Sequence, residues 1–408
     1  MDALRYRREI RWLFQAALLI FVVTIAIGLA AGLRFIEFTP EQSLTHFHAG
    51  VVGWITLGII ASGLWLYGGT GTREADERWV SGTCIVLVAS VPLFVFAWWV
   101  DSMALLAIAG SLVLLGIAGY VVWMLRQAAR IGYRALTTPQ LGIAFGTVTL
   151  VVGSAIGVAI AAQEATQAFQ LPATIHLVHA QTQESAYLFL AAMSLAYWRL
   201  HGNDRTTRGT WMVWLFFAAG VIIALSLLAN SIEGAAAFIP LDIAAFAIML
   251  SLAWRRIVNP GWLVASSARH YAVAVPFAAV YLAIFIYLVL GLTVLRLWPD
   301  PSQIPSNLIP AVSHPFFVGM VTNVLFGLLL DFTARRRSIW PWADHVVFWG
   351  TNVAVAAFTA AILLEADDWF RVITPVLGVS LLVGIATFTA RLWSSSEQAV
   401  PQEVPATV

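Results

Sequence analysis

SLTHFHAGVVGWITLGI (residues 43–59) is a strongly apolar stretch led by two histidines, and the chain contains two more of similar build. They are ATIHLVHAQTQESAYLFL (173–190) and AVSHPFFVGMVTNVLFGLL (311–329). Aligning His48 with His314 places Gly53 on Gly319, and His179 is the matching residue of the middle stretch, where Glu184 takes the glycine's place. The three histidines recur at intervals of about 130–135 residues, close to a third of the chain, and a fixed period of this kind marks an internal repeat. An even number of helices per repeat leaves every copy in the same orientation. The pattern predicts three parallel four-helix repeats, at about 1–134, 135–269 and 270–393, closing around a pseudo-threefold axis.

Composition puts these stretches in a membrane. Of the 408 residues, 60% are hydrophobic and 11% charged, and the mean hydropathy is +0.85. Soluble domains carry about 25% charged residues. With a net charge of +1 there is no case for nucleic-acid binding. The lone Cys84 excludes an internal disulfide and a cysteine-held metal cluster. A bilayer core takes about 20 apolar residues per helix. Twelve runs qualify: 13–33, 45–68, 79–100, 103–125, 139–162, 173–198, 209–229, 235–254, 271–295, 308–332, 341–364 and 370–392. Residues 1–393 therefore read as one all-α integral membrane domain of twelve transmembrane helices, bathed in membrane lipid. The first run reads as a retained span. The tail 394–408 is polar and reads as disordered. Trp12, Trp79, Trp211, Trp254, Trp298, Trp340 and Trp369 sit at run ends, where aromatic belts form.

Charge tests the count. With twelve spans, Arg34, Arg296 and Arg371 fall on one side and every other arginine on the side of the termini, including Arg73, Arg126, Arg199, Arg255 and Arg335–Arg337. The positive-inside rule then predicts a multi-pass protein of the cell (inner) membrane with both termini cytoplasmic. The histidines begin the second, sixth and tenth helices at the outer side. His46 and His48 stand about 200° apart around a helix, so one helix serves two partners. His176 and His179 share a face, which continues through Gln183 and Tyr187 with Glu184 beside it. Ionisable groups at membrane depth are costly and usually face a cavity or a partner. Asp242 is a second such residue, on a proton path or near the outer helix end. His201, His270 and His345 read as surface residues of the arginine-rich side.

HFHAGVVGW (46–54) resembles the HxHxGxxGW haem motif of the C-family oxidases and nitric oxide reductases, and HPFFVGMV (314–321) is similar to their histidine-led VG segments. The plan of three four-helix arcs with histidines on helices 2, 6 and 10 is that of the haem-copper oxidase subunit I superfamily, and the resemblance extends to the NnrS-like haem- and copper-binding membrane proteins of nitric oxide tolerance. It implies haem b, one or two, and chemistry on a small diatomic gas, nitric oxide or oxygen. It also implies an outer-side electron donor, a cytochrome or cupredoxin. His48 and His314 match the family's low-spin haem pair. With the arcs permuted, His48 pairs instead with His179, and His46 faces a site closed by His314. Gly53 and Gly319 either admit the flat porphyrin or allow close helix packing. His176, His179 and Glu184 are the candidate ligands of copper or a non-haem iron.

The departures bear on activity. The seventh run has no histidine, no tyrosine follows His179 at four residues, and the chain has no lysine. These absences count against oxygen reduction by the usual oxidase route and leave an accessory haem protein as an alternative. A twelve-helix secondary transporter is the other, disfavoured by a threefold repeat in place of two halves of six.

Overall fold

An apolar solvent offers the backbone no hydrogen bonds, so each N–H and C=O must be satisfied within the chain. In the computed structural model, which describes residues 5–69, 74–298, 301–336 and 338–394, the chain does this with helices. Arg73, Arg337 and the tail from residue 395 lie outside the described residues.

Eleven helices among the described residues are long and apolar enough to cross a membrane: α1 (Arg7–Gly32), α2 (Pro40–Tyr67), α3 (Glu74–Trp99), α4 (Met103–Ile131), α5 (Thr138–Thr166), α7 (Thr207–Leu228), α8 (Ile232–Val258), α9 (Ser267–Thr293), α10 (Leu308–Phe332), α11 (Ala343–Leu363) and α12 (Phe370–Trp393). Between α5 and α7 the segments Ile175–Gln183, Glu184–Phe189 and Leu190–Leu200 run on as one further helix, α6. It has the length of a span and is set apart by His176, His179, Gln181, Gln183 and Glu184.

Local chemistry sets the ends. Thr39 and Thr137 cap α2 and α5 in the same way: each side chain accepts from the third helical N–H, while Gln42 or Gln140 reaches back. Pro40 and Pro139 stand in the first turn, where a missing N–H costs nothing. The odd-numbered helices share an exit. Just past their ends, Arg34, Asp101, Gln167, Asn230, Arg296 and Glu365 all adopt left-handed backbone with φ of 50–56°. A single left-handed residue closes a helix by letting its last N–H groups turn back onto the final carbonyls. All six exits therefore lie at one end of the molecule, the end that also carries the histidines.

α2 and α10 form the centre. The most apolar stretches of these two are 83% and 72% buried, against 28–56% for the other nine spans. In α6, Ser185 to Tyr197 is buried without interruption. The central helices touch through polar and aromatic pairs: Trp54 Nε1 donates to Thr322 Oγ1 at 3.0 Å, and Phe189 faces Phe316 at 6.3 Å. Each also widens into a π-helical turn at a matching place: Ala49–Thr56 directly after His48, Glu184–Phe189 shortly after His179, and Pro315–Thr322 directly after His314. Such turns shift the facing of all residues beyond them and are frequent at functional sites. A fourth lies in α11, at Val346–Gly350.

The arginine-rich end is locked by buried charge. Arg269, fully buried, donates to the Asp344 carbonyl at 2.6 Å, and Arg391 pairs with the Asp344 carboxylate at 2.6 Å. Arg199 and the Tyr271 hydroxyl share Asp331 at 2.6 and 2.8 Å. His270 is corrected here. It is a core residue, 1% exposed, and not a surface one. α9 begins at Ser267, earlier than hydropathy predicts, which carries His270 inside the bundle. Its Nδ1–H donates to Asn323 Oδ1 at 2.9 Å, and Asn323 in turn donates to Asn352 at 2.8 Å.

Removing one partner of a buried ion pair costs about 3–5 kcal/mol, whereas an exposed pair contributes about 0–1 kcal/mol. Asp344→Ala should therefore lower the unfolding temperature of the detergent-solubilised protein by several degrees. Glu77→Ala, which removes only the exposed partner of Arg5, should leave it within error of the wild type. A thermal scan of both variants decides this, and equal effects would contradict the proposed lock.

Candidate functional site

Four histidines near the shared helix exits are fixed by two kinds of bond. His46 reaches across to α1, where its Nδ1–H donates to the Thr24 carbonyl at 2.8 Å. His179 reaches across to α5, where its Nδ1–H donates to the Gly153 carbonyl at 2.8 Å. One turn beyond each acceptor stands a glycine, Gly28 or Gly157. A Cβ on either would come within 2.8 Å of the histidine Cε1. Both glycines therefore make the room that lets the ring lie flat against the neighbouring helix.

The other two histidines bond within their own helix. His48 Nδ1–H donates to the Leu44 carbonyl at 2.9 Å, and His314 Nδ1–H to the Pro310 carbonyl at 3.0 Å. A backbone carbonyl has two lone pairs and can accept a side-chain bond in addition to the helical one. Each ring also rests on an aromatic wall: His48 on Trp98 at 4.3 Å and 17°, and His314 on Phe358 at 4.4 Å and 41°. In all four histidines a carbonyl holds Nδ1 and so assigns it the proton. This leaves the lone pair on Nε2, the usual arrangement of a histidine that ligates a metal.

Two cavities collect these rings. The first, about 560 Å³, lies among α1, α2, α10, α11 and α12 and contains His46 and His314, with Phe21, Trp54, Phe317 and Phe358 among its walls. The second, about 390 Å³, lies among α2 to α6 and contains His48 and His179, with Phe94, Trp98, Gln183 and Glu184. His314 is in electrostatic reach of His46, and His48 of His179. His48 and His314, the pair matched by family resemblance, line different cavities. Phe47 and Val51 line both, so a single layer of side chains from α2 separates the two spaces.

Each cavity thus pairs one histidine held across helices with one held within its own helix. The third position of this arrangement is different. Two residues before His314 stands Val312, and two after His179 stands Gln181. Rings pack α6, α7, α9 and α10 together: Tyr281 stacks on Phe316 at 4.4 Å and on Phe285 at 5.7 Å, and Phe189 meets Phe216 at 5.0 Å.

The remaining sequence candidates share the second cavity: His176, His179 and Glu184 all line it, His176 at an exposed edge 3.8 Å from Glu164. Among the described residues no three His, Cys, Asp or Glu side chains converge closely enough to hold a metal ion. Gly53 and Gly319 line neither cavity. A Cβ at Gly53 would meet Ile20 at 2.2 Å, and one at Gly319 would meet Phe277 at 2.5 Å, so both serve helix packing. Gly28 and Gly157 were not singled out by the sequence, although each belongs to a helix that directly precedes a histidine-bearing one. The chain matches no protein-family model and no curated protein.

Proposed function

We propose that the chain is a haem-binding membrane protein of the haem-copper oxidase subunit I type, with two bis-histidine sites, working in electron transfer at the outer side of the cell membrane. The supporting observation is the repeated construction. Each of two cavities is lined by two imidazoles whose Nδ1 is tied to a carbonyl, which leaves the lone pair on Nε2. Axial ligation of a haem b needs two such nitrogens facing across an apolar slot. His46 and His314 would hold one group, and His48 and His179 the other. The glycine cradles at Gly28 and Gly157 suit this role, since they fix ring position without filling the slot. A bound haem would supply one-electron chemistry at each site.

Twelve transmembrane helices in three parallel four-helix repeats account for the rest. The six matching helix exits, the three matching π-turns and the central place of α2, α6 and α10 support this plan. On this plan α6 spans the membrane. Beyond the exposed His176 at its outer end, its polar residues are at least half enclosed by neighbouring helices, so low hydropathy is no bar to crossing. The arginine distribution supports cytoplasmic termini and puts the histidines at the outer face.

Electron transfer is favoured over oxidase chemistry because each cavity holds a histidine pair and, among the described residues, no three His, Cys, Asp or Glu side chains converge on one point. A cytochrome or cupredoxin at the outer face fits as donor. Nitric oxide or oxygen would bind only by displacing one imidazole.

Haem analysis of detergent-purified protein from haem-replete cells tests the proposal. Two haems b per chain are expected, with sharp reduced alpha bands. His46→Ala/His314→Ala should remove one haem and His48→Ala/His179→Ala the other. A colourless preparation would overturn the reading and bring forward the transporter. Gly28→Val should disturb the first haem and Gly157→Val the second, since each side chain would occupy the space of one ligand ring. Loss of neither would contradict the proposed cradles.

A further inference from the structure

The two cavities are alike in ligands and unlike in charge. The lining of the first includes one arginine, Arg34, and one carboxylate, Glu365. The second has three carboxylates, Glu41, Glu164 and Glu184, and no arginine among its lining residues. The only positive charge available there is that of His176, 3.8 Å from Glu164 when protonated. Glu184 stands in the interior of the same space.

Charge of this sign acts on a redox group in one direction. The oxidised form of an iron centre carries one more positive charge than the reduced form. Neighbouring carboxylates therefore stabilise the oxidised form and lower the potential, most strongly where water is excluded. We infer that the sites are unequal, the His48/His179 site being the harder to reduce, and that Glu41 and Glu164, the carboxylates not fully enclosed there, set the difference. This rests on the two-haem reading above. At partial reduction the electron then resides at the His46/His314 site, one layer of side chains away across Phe47 and Val51. The acidic site is thus placed to pass electrons on, not to hold them.

The single-site variants make the test direct. The His46→Ala/His314→Ala protein retains only the acidic site, and the His48→Ala/His179→Ala protein only the neutral one. Potentiometric titration followed in the alpha band should give the acidic site the lower midpoint. The expected gap corresponds to at least a tenfold preference for the other site, which for a one-electron couple is about 59 mV. Glu41→Gln and Glu164→Gln should each raise the midpoint of the acidic site and leave the neutral site unchanged. Should a double variant misfold, a wild-type titration should resolve two components, with the two substitutions moving only the lower. Equal or reversed midpoints, or substitutions that move neither component, would overturn the inference while leaving two haems in place. Protein without haem would overturn the reading beneath it as well.

Discussion

An imidazole within an apolar bundle must find partners for both ring nitrogens, because burying a polar group unbonded costs several kcal/mol. Much of this structure follows from how that requirement is met. In each of the four histidines Nδ1 is settled by a backbone carbonyl, two from a neighbouring helix and two from the same helix. The cross-helix bonds fix α1 against α2 and α5 against α6 at a separation only glycine permits. The remaining nitrogen of each ring is left facing a cavity.

A histidine that faces inward also dictates the helix that carries it. α2, α6 and α10 take the centre, where polar groups meet protein and not lipid. α6 shows the effect most strongly: it carries His176, His179, Gln181, Gln183 and Glu184 and yet is enclosed along most of its length. The π-turn in each central helix turns the apolar residues beyond it toward their neighbours, after the histidines have been aimed at the cavities. Where α6 meets α7, α9 and α10, aromatic rings pack the helices together.

The long helices were legible in the sequence because their apolar length is a direct consequence of the solvent. The histidine period was legible too, since ionisable residues stand out in so apolar a chain. Pairing was not. His46 and His48 are two residues apart, and which of them meets His314 depends on helix rotation and on carbonyls in α1, neither of which local text records. The resemblance leaves two pairings open, His48 with His314 or, with the arcs permuted, His48 with His179 and His46 with His314; the cavities group the rings in the second way. Gly28 and Gly157 were hidden for another reason. Glycine is common in membrane helices, and only the ring lying against each of these gives it meaning. His270 is not legible as a core residue because the apolar run, 271–295, begins too late to include the first turn of α9.

The central claim is that two histidine pairs, His46 with His314 and His48 with His179, each hold a haem. The most direct measurement is a cryo-electron microscopy map of protein purified from haem-replete cells. The account predicts one macrocycle density between His46 and His314 and a second between His48 and His179. Density joining His48 to His314, or lipid filling both cavities, would contradict it.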